Sequence, residues 1–460
     1  MSGHAQISTI HPARTLLVLC MAAFLVPFMG SAINLALPEI GEAFSLKAVT
    51  LTWLATAYLI PTAIFQIPFA RMGDLLGRKR VFVWGVLGFA VCTVASGFAP
   101  NGTVLIALRF LTGLSSAMMF GSNIAILTAV VPSKDRGKAL GINAATVYTS
   151  LAAGPFLGGL LTHYLGWRSI FFVCGAAGFA VVVMLHFFLK GEWTESRGEK
   201  FDYVGSVFYG LAILGLIHGF INLTHAAGVA WLALGAVSFV IFVYYERHCA
   251  SPVINLALFS GNRVFALSSC AALINYAATS GIAFMLSLYL QYIRGYDARG
   301  AGLVLITQAC MMTVFALVSG RLSDRFPAGR LATIGMSVIV AGLVGLVFLT
   351  PATPVWLIVI CLVLLGVGFG MFSSPNTNVI MSSVEKKFYG QASATTGTMR
   401  LTGQAMSMGI AGMVIALHVG NQKIVPEVHP QFMASLRMTF IIFAALCAAG
   451  VYASSARSKR

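Results

Sequence analysis

The sequence predicts an all-α polytopic membrane protein with fourteen transmembrane helices. Three observations predict it. Only 9% of the 460 residues are charged and 58% are hydrophobic, whereas soluble domains carry roughly 25% charged residues. Apolar stretches of about twenty residues recur from end to end, each long enough to cross a ~30 Å hydrocarbon core as a helix. Basic residues alternate from loop to loop, as positive-inside topology requires. A net charge of +16 would in a soluble chain suggest nucleic acid. Here no basic domain exists to bind it, and the excess faces cytoplasm and anionic lipid.

The spans follow in order. Residues 1–14 are polar, and the apolar run that starts at Thr15 continues to Pro38. It is too long for a signal-peptide core and lacks a small-x-small cleavage pattern, so it reads as a retained first helix. The full set is 15–37, 51–70, 81–99, 103–131, 138–162, 168–189, 203–222, 227–245, 264–291, 299–319, 330–350, 354–381, 390–417 and 436–455. The longest connections, 190–202, 246–263 and 418–435, are too short for a soluble domain. All eight cysteines lie in or beside apolar segments, and none forms a C-x-x-C pair. They read as small hydrophobic fillers, with no disulfide framework and no metal site.

An even number of spans puts both termini on one side. With that side cytoplasmic, inner segments hold 21 Lys/Arg and outer segments six: Lys47, Arg168, Arg294, Arg299, Lys423 and Arg437. The remaining two, Arg109 and Arg400, fall inside spans 4 and 13. The expected location is therefore the cell membrane, multi-pass, with both termini cytoplasmic.

The chain is also written twice. "GKALGINAATVYTSLAAGPFLGG" begins at Gly137 and "GQASATTGTMRLTGQAMSMGIAG" at Gly390. Under the same 253-residue offset Gly113 meets Gly366 and Asn123 meets Asn376. Two charged loops, "GDLLGRKR" from Gly73 and "GRLSDRFPAGR" from Gly320, are offset by 250 (Asp74 to Asp324). A repeat of this length holds eight spans of about 31 residues. The layout is six helices, two inserted helices, then six, with both copies in one orientation. The expected domains are 1–200, a six-helix bundle; 201–246, two peripheral inserted helices; and 247–460, the second bundle.

The first charged loop resembles the G-x-x-x-D-[RK]-x-G-[RK]-[RK] motif of the major facilitator superfamily. The matching residues are Asp74, Gly77, Arg78 and Lys79, with Ala70 and Leu75 departing from the pattern. The second copy keeps Gly320, Asp324 and Arg325 but inserts two residues before Gly329 and Arg330. The 6 + 2 + 6 layout is similar to the fourteen-helix drug:proton antiporters of that superfamily. So are "INLALPEIGEAF" (33–44), "WLATAYLI" (53–60), "ALRFLTGLSSA" (107–117), "AAGPFLGG" (152–159) and "SPVINLALFSGNRVF" (251–265). The resemblance implies the major facilitator fold and alternating access between the two bundles. It implies a conformational gate at Asp74, Gly77, Arg78, Lys79, Asp324 and Arg325, and a proton-coupling role for Arg109. It also implies a helix-bending antiporter element at Gly154, Pro155, Gly158 and Gly159.

The residues carry their own reading. Asp74, at the end of span 2, can accept hydrogen bonds from a neighbouring helix N-terminus. Arg109 and Arg400 are mid-membrane charges and must face a polar interior. Asn34, Tyr58, Gln66, Asn123, Asn143, Tyr148, Asn376 and Gln404 lie in spans that would face a central cavity, although such groups also serve as interhelical ties. Spans 7 and 8 are read as peripheral. Exporters of cationic drugs in the family often carry an Asp nine residues before the Pro of "ALP"; here that residue is Met29. No span carries a carboxylate at its middle, which disfavours an organic cation and leaves Asp74, Glu39 and His218 as candidate proton carriers.

The expected function is proton-coupled export of an amphiphilic drug or metabolite that is neutral, zwitterionic or anionic. The alternatives are an importer or facilitator of a specific neutral or anionic metabolite, and a non-transporting membrane sensor. No paired carboxylates, H-E-x-x-H, G-x-S-x-G or phosphate-cradling loop points to an enzyme, and no cofactor is implied. The expected partners are a small-molecule substrate, the proton and the lipid bilayer, with no nucleic acid, and the chain is expected to act as a monomer.

Overall fold

In lipid every backbone amide must find its partner within the protein, and a helix does so locally. In the computed structural model the described residues meet this demand with helices. It describes residues 12–132, 135–194, 201–223, 226–249, 259, 261–323, 325–385, 389–420 and 422–456. Among the described residues fourteen helices are long and apolar enough to cross a membrane. They are α1 (Ala13–Ala43), α2 (Ala48–Leu76), α3 (Arg78–Gly97), α4 (Gly102–Val130), α5 (Ala139–Leu165), α6 (Arg168–Phe188), α7 (Tyr203–Phe220), α8 (Ala226–Glu246), α9 (Arg263–Ile293), α10 (Ala298–Leu322), α11 (Ala328–Val347), α12 (Val355–Ser382), α13 (Thr395–His418) and α14 (Pro426–Ser455). We call the side on which α1 begins and α14 ends the terminal face, and the opposite side the far face.

The scarce polar residues punctuate these helices. Asn101, Asp202, Asn262 and Asp297 are N-caps whose side chains accept from Val104, Gly205, Phe265 and Gly300 N–H respectively, each filling one of the donor positions a helix start leaves open. Two spans are interrupted. The helix of α2 breaks at Ala57 and Tyr58, and that of α9 at Ser280 and Gly281. At the second break the Gly281 N–H donates to Ser407 Oγ of α13 at 2.8 Å, so the free backbone group is met by a neighbouring helix. Sequence and structure differ most at three ends. The first helix continues beyond residue 37 through Pro38 to Ala43, which places Glu39 and Glu42 in its last turns; the second runs past residue 70 to Leu76, which places Asp74 in its last turn; and α14 opens ten residues early with a turn at Pro426–Val428.

The repeat is visible in the packing. In the first six helices the main pairs are α1 with α5, α1 with α6, α2 with α4, α3 with α4, and α3 with α6. The same five pairs recur eight helices later: α9 with α13, α9 with α14, α10 with α12, α11 with α12, and α11 with α14. Side chains at the repeat offset make matching bonds. The Asn123 amide donates to Leu19 O of α1 at 3.0 Å, and the Asn376 amide donates to Ser268 O of α9 at 3.1 Å. Gly113 and Gly366 make matching close approaches: a methyl on either would lie 2.2 Å from Tyr58 O or 2.3 Å from Gln308 O.

The halves meet mainly through α5 with α10 and α2 with α13. Two glycines, Gly159 and Gly302, allow the first approach, and two more hold α5 against α1. Gly154 and Gly158 seat α5 on Ser31 and Ala32 of α1. Gly159 faces the Ala298 carbonyl, where a methyl would lie at 2.5 Å, and the Pro155 carbonyl faces Gly302 at 2.4 Å by the same measure. The helices α7 and α8 pair with each other, and α7 also packs on both α2 and α13. Tyr209 of α7 donates to Ala63 O of α2 at 3.1 Å and lies beside Thr398 of α13.

Candidate functional site

A charge in the middle of a membrane helix costs about 3 kcal/mol on insertion scales, so the site is built outward from the two that exist. Arg109 of α4 is 1% exposed. Its guanidinium carbon lies 4.4 Å from the centre of the Tyr58 ring, and Nε, Nη1 and Nη2 all lack a hydrogen-bond partner. Tyr58 is held there by the break in α2. Its hydroxyl lies over Gly30 of α1, where a methyl would approach it to 2.1 Å, and its carbonyl lies against Gly113.

Arg400 of α13 approaches from the other half. Its guanidinium carbon sits 5.3 Å from the ring centre of Phe120 on α4. Tyr58 is within electrostatic reach of both arginines. Tyr148 of α5 hydrogen-bonds across the seam to Ser373 of α12 and lies close to Tyr276 and Arg400. Tyr276 packs edge-on against Phe369, centres 5.5 Å apart. The structure thus gathers Arg109, Tyr58, Phe120 and Tyr148 from the first half around Arg400, Ser373, Tyr276 and Phe369 from the second. Of these, sequence reasoning singled out Arg109, Arg400, Tyr58 and Tyr148. Ser373, Tyr276 and the two phenylalanines carried no signal that separates them from ordinary span residues.

The other expected cavity residues are distributed more widely. Gln66 is buried against Gly397 of α13, with its Oε1 unpartnered. Asn143 is buried with Oδ1 unpartnered. Asn34 is half-buried on α1, and its carbonyl accepts from Ser287 Oγ at 2.7 Å. Gln404 is half-buried on α13. Asn123 and Asn376 are placed as ties between helices. His218 lies between Trp53 and Trp231, ring centres 5.8 and 5.1 Å away.

At the terminal face Asp74 and Arg78 form an ion pair, Oδ1 to Nε 2.7 Å. Gly77 between them has φ +114°, a region side chains avoid. The start of α3 is closed by a residue the sequence did not reveal: the Lys79 N–H donates to Glu192 Oε1 at 2.9 Å, and the Arg78 N–H donates to Trp193 O at 3.0 Å. Glu192 thus receives a donor at the start of this helix. Arg325 is exposed, and Asp324 lies outside the described residues.

The far face is fastened between halves. His163 Nδ1 of α5 lies 3.0 Å from Asp297 Oδ2 at the start of α10. Arg299 donates to the Tyr164 hydroxyl at 2.9 Å, Gln291 donates to Leu35 O at 3.2 Å, and Ala48 N–H donates to Gln422 O at 2.9 Å. Among the described residues no three His, Cys, Asp or Glu side chains come together as metal ligands.

The sequence profile of the Major Facilitator Superfamily matches residues 19–408, and again 268–456. The chain is 26% identical over 440 residues to the riboflavin transporter RibZ of Clostridioides difficile (strain 630), covering 95% of each. It is 29% identical over 408 residues to the multidrug resistance protein Stp of Mycobacterium tuberculosis, covering 87% of this chain and 75% of that one. The fold is similar to the crystal structure of a bacterial homolog to the human lysosomal transporter Spinster in an inward-facing and unoccupied conformation. The TM-score is 0.70 at 16% identity, over 98% of each chain.

Proposed function

The chain belongs to the Major Facilitator Superfamily and is a multi-pass secondary transporter, not an enzyme; on that premise we propose that it exports an amphiphilic drug or metabolite in exchange for protons. The observation that carries the reading is the pair of equivalent half-bundles around one buried, charged seam. Rocking of two such halves about a central site is how a parallel repeat gives alternating access. The far-face fastenings make this the state closed on that side. The Lys/Arg bias makes the terminal face cytoplasmic, so the site is poised toward the cell interior, where an exporter loads. The bundles are 1–200 and 247–460, and 201–246 is a pair of inserted peripheral helices, of which α7 packs on α2 and α13. The transporter works as a monomer in the cell membrane, its gate is the Asp74–Arg78 loop with its second copy at Arg325, and Asp74, Glu39 and His218 are the candidates for its proton carrier. A multidrug resistance protein among the relatives supports export. The full-length match to a riboflavin transporter supports a second reading, a facilitator of one specific metabolite.

The test is flux in inside-out vesicles from cells overexpressing the chain. With the vesicle interior made acid, uptake of one or more of fluorescein, Nile red and rhodamine 123 is expected to rise several-fold over vesicles lacking the chain, and to collapse with the gradient. Uptake that ignores the gradient and follows only the substrate's own concentration difference supports the facilitator and removes proton-coupled export.

A further inference from the structure

Among the described residues the two arginines at the seam have no carboxylate partner. All thirteen acids lie outside the spans or within four residues of a span end, the deepest being Glu39, four before Ala43. Four of them serve elsewhere: Asp202 and Asp297 cap helices, Asp74 pairs with Arg78, and Glu192 holds the start of α3. Arg109 has no hydrogen-bond acceptor at any of its three nitrogens despite being 1% exposed. Its contact with the Tyr58 face offsets only part of the cost of holding a charge within the membrane. Arg400, half-buried, has Phe120 as its aromatic face and Tyr148 close by. The two like charges approach Tyr58 from opposite halves, so they repel across the seam that must close during transport. An anion placed there relieves both the repulsion and the missing acceptors. Aromatic rings from both halves, Phe120, Tyr148, Tyr276 and Phe369, supply walls for an apolar body.

We propose that the seam is a binding site for an amphiphilic organic anion, its charged group held by Arg400 with Arg109 behind Tyr58 as a second fixed charge, and its apolar part against Phe120, Tyr276 and Phe369. This rests on reading the seam as the substrate site. It does not depend on the direction of transport or on proton coupling.

The test is equilibrium binding to the purified full chain in detergent, followed by fluorescence anisotropy. The probes are two dyes on one xanthene scaffold, anionic fluorescein and cationic rhodamine 123. Fluorescein is expected to bind at least ten-fold more tightly. Arg400→Gln is expected to weaken fluorescein at least ten-fold while leaving rhodamine 123 unchanged or tighter, and Arg400→Lys to keep most of the preference. Binding without sign preference, tighter binding of rhodamine 123, saturable binding of neither dye, or an equal loss of both in Arg400→Gln overturns the proposal. Vesicle flux without gradient dependence, with this binding pattern intact, would remove only the exporter reading.

Discussion

Replacing Arg109 with methionine is expected to give a protein that is thermally more stable than wild type and does not transport. Most core substitutions destabilise, so the sign is diagnostic. The guanidinium sits 1% exposed without a hydrogen-bond acceptor. Removing it recovers the ~3 kcal/mol insertion cost of the charge and forfeits ~1–2 kcal/mol of contact with the Tyr58 ring. Methionine fills irregular space flexibly and leaves little cavity. The net is a gain of about 1–2 kcal/mol, read as a higher midpoint in a detergent melting curve. The same variant is expected to lose gradient-driven dye uptake, because one of the two charges of the seam is gone. A clear fall in the melting midpoint would mean that Arg109 is structurally paired, and a variant that still transports would remove the arginine from the mechanism.

The largest loss of stability is expected at a glycine. In Gly113→Ala the added methyl would lie 2.2 Å from Tyr58 O, 2.6 Å from Pro61 Cγ and 2.8 Å from Tyr58 C. Two of these are backbone atoms and cannot rotate aside. The helices α2 and α4 must separate, and the bond from Thr62 Oγ1 to Gly113 O, 2.9 Å, is strained with them. Overpacking of this kind costs ~3 kcal/mol or more, which here is expected to cut the yield of folded protein several-fold. Gly366→Ala, whose methyl would meet Gln308 O at 2.3 Å, is expected to do the same in the second half. Gly141→Ala is the control. It has nothing within 4 Å, and alanine is favoured over glycine in a helix by ~1 kcal/mol. Equal expression of all three variants would contradict the close approach of α2 and α4.

These glycines also show how much could be read in advance. The offset of 253 that aligns Gly113 with Gly366 and Asn123 with Asn376 was visible in the letters, and it marks equivalent helix contacts in both halves. The fourteen spans were visible because lipid forces each one to be continuous and apolar. Their ends were less so. Pro38, Glu39 and Glu42 read as the start of a loop, yet a helix of 31 residues is ~46 Å long. It overhangs the hydrocarbon core and carries its acids at the polar boundary. Arg109 and Arg400 could be found because a mid-span charge is rare, and Tyr58 and Tyr148 because they are polar span residues, whereas Phe120, Tyr276, Phe369 and Ser373 could not. Tyr148 meets Ser373 across 225 positions, and no periodicity encodes a contact between half-bundles. Likewise His163 and Asp297 were unremarkable until α5 and α10 were placed side by side. Glu192 lay in a connection whose packing against α3 no local pattern reveals.

Alternating access is tested most directly by locking the far face. His163→Cys and Asp297→Cys, introduced together into a chain stripped of its eight native cysteines, place two thiols at positions whose side-chain ends now meet at 3.0 Å, within reach of a short bis-methanethiosulfonate cross-linker. Cross-linking is expected to abolish gradient-driven fluorescein uptake into inside-out vesicles, and dithiothreitol to restore it. Full uptake by the completely cross-linked protein would mean that substrate passes without the far face opening, and would contradict the mechanism at its root.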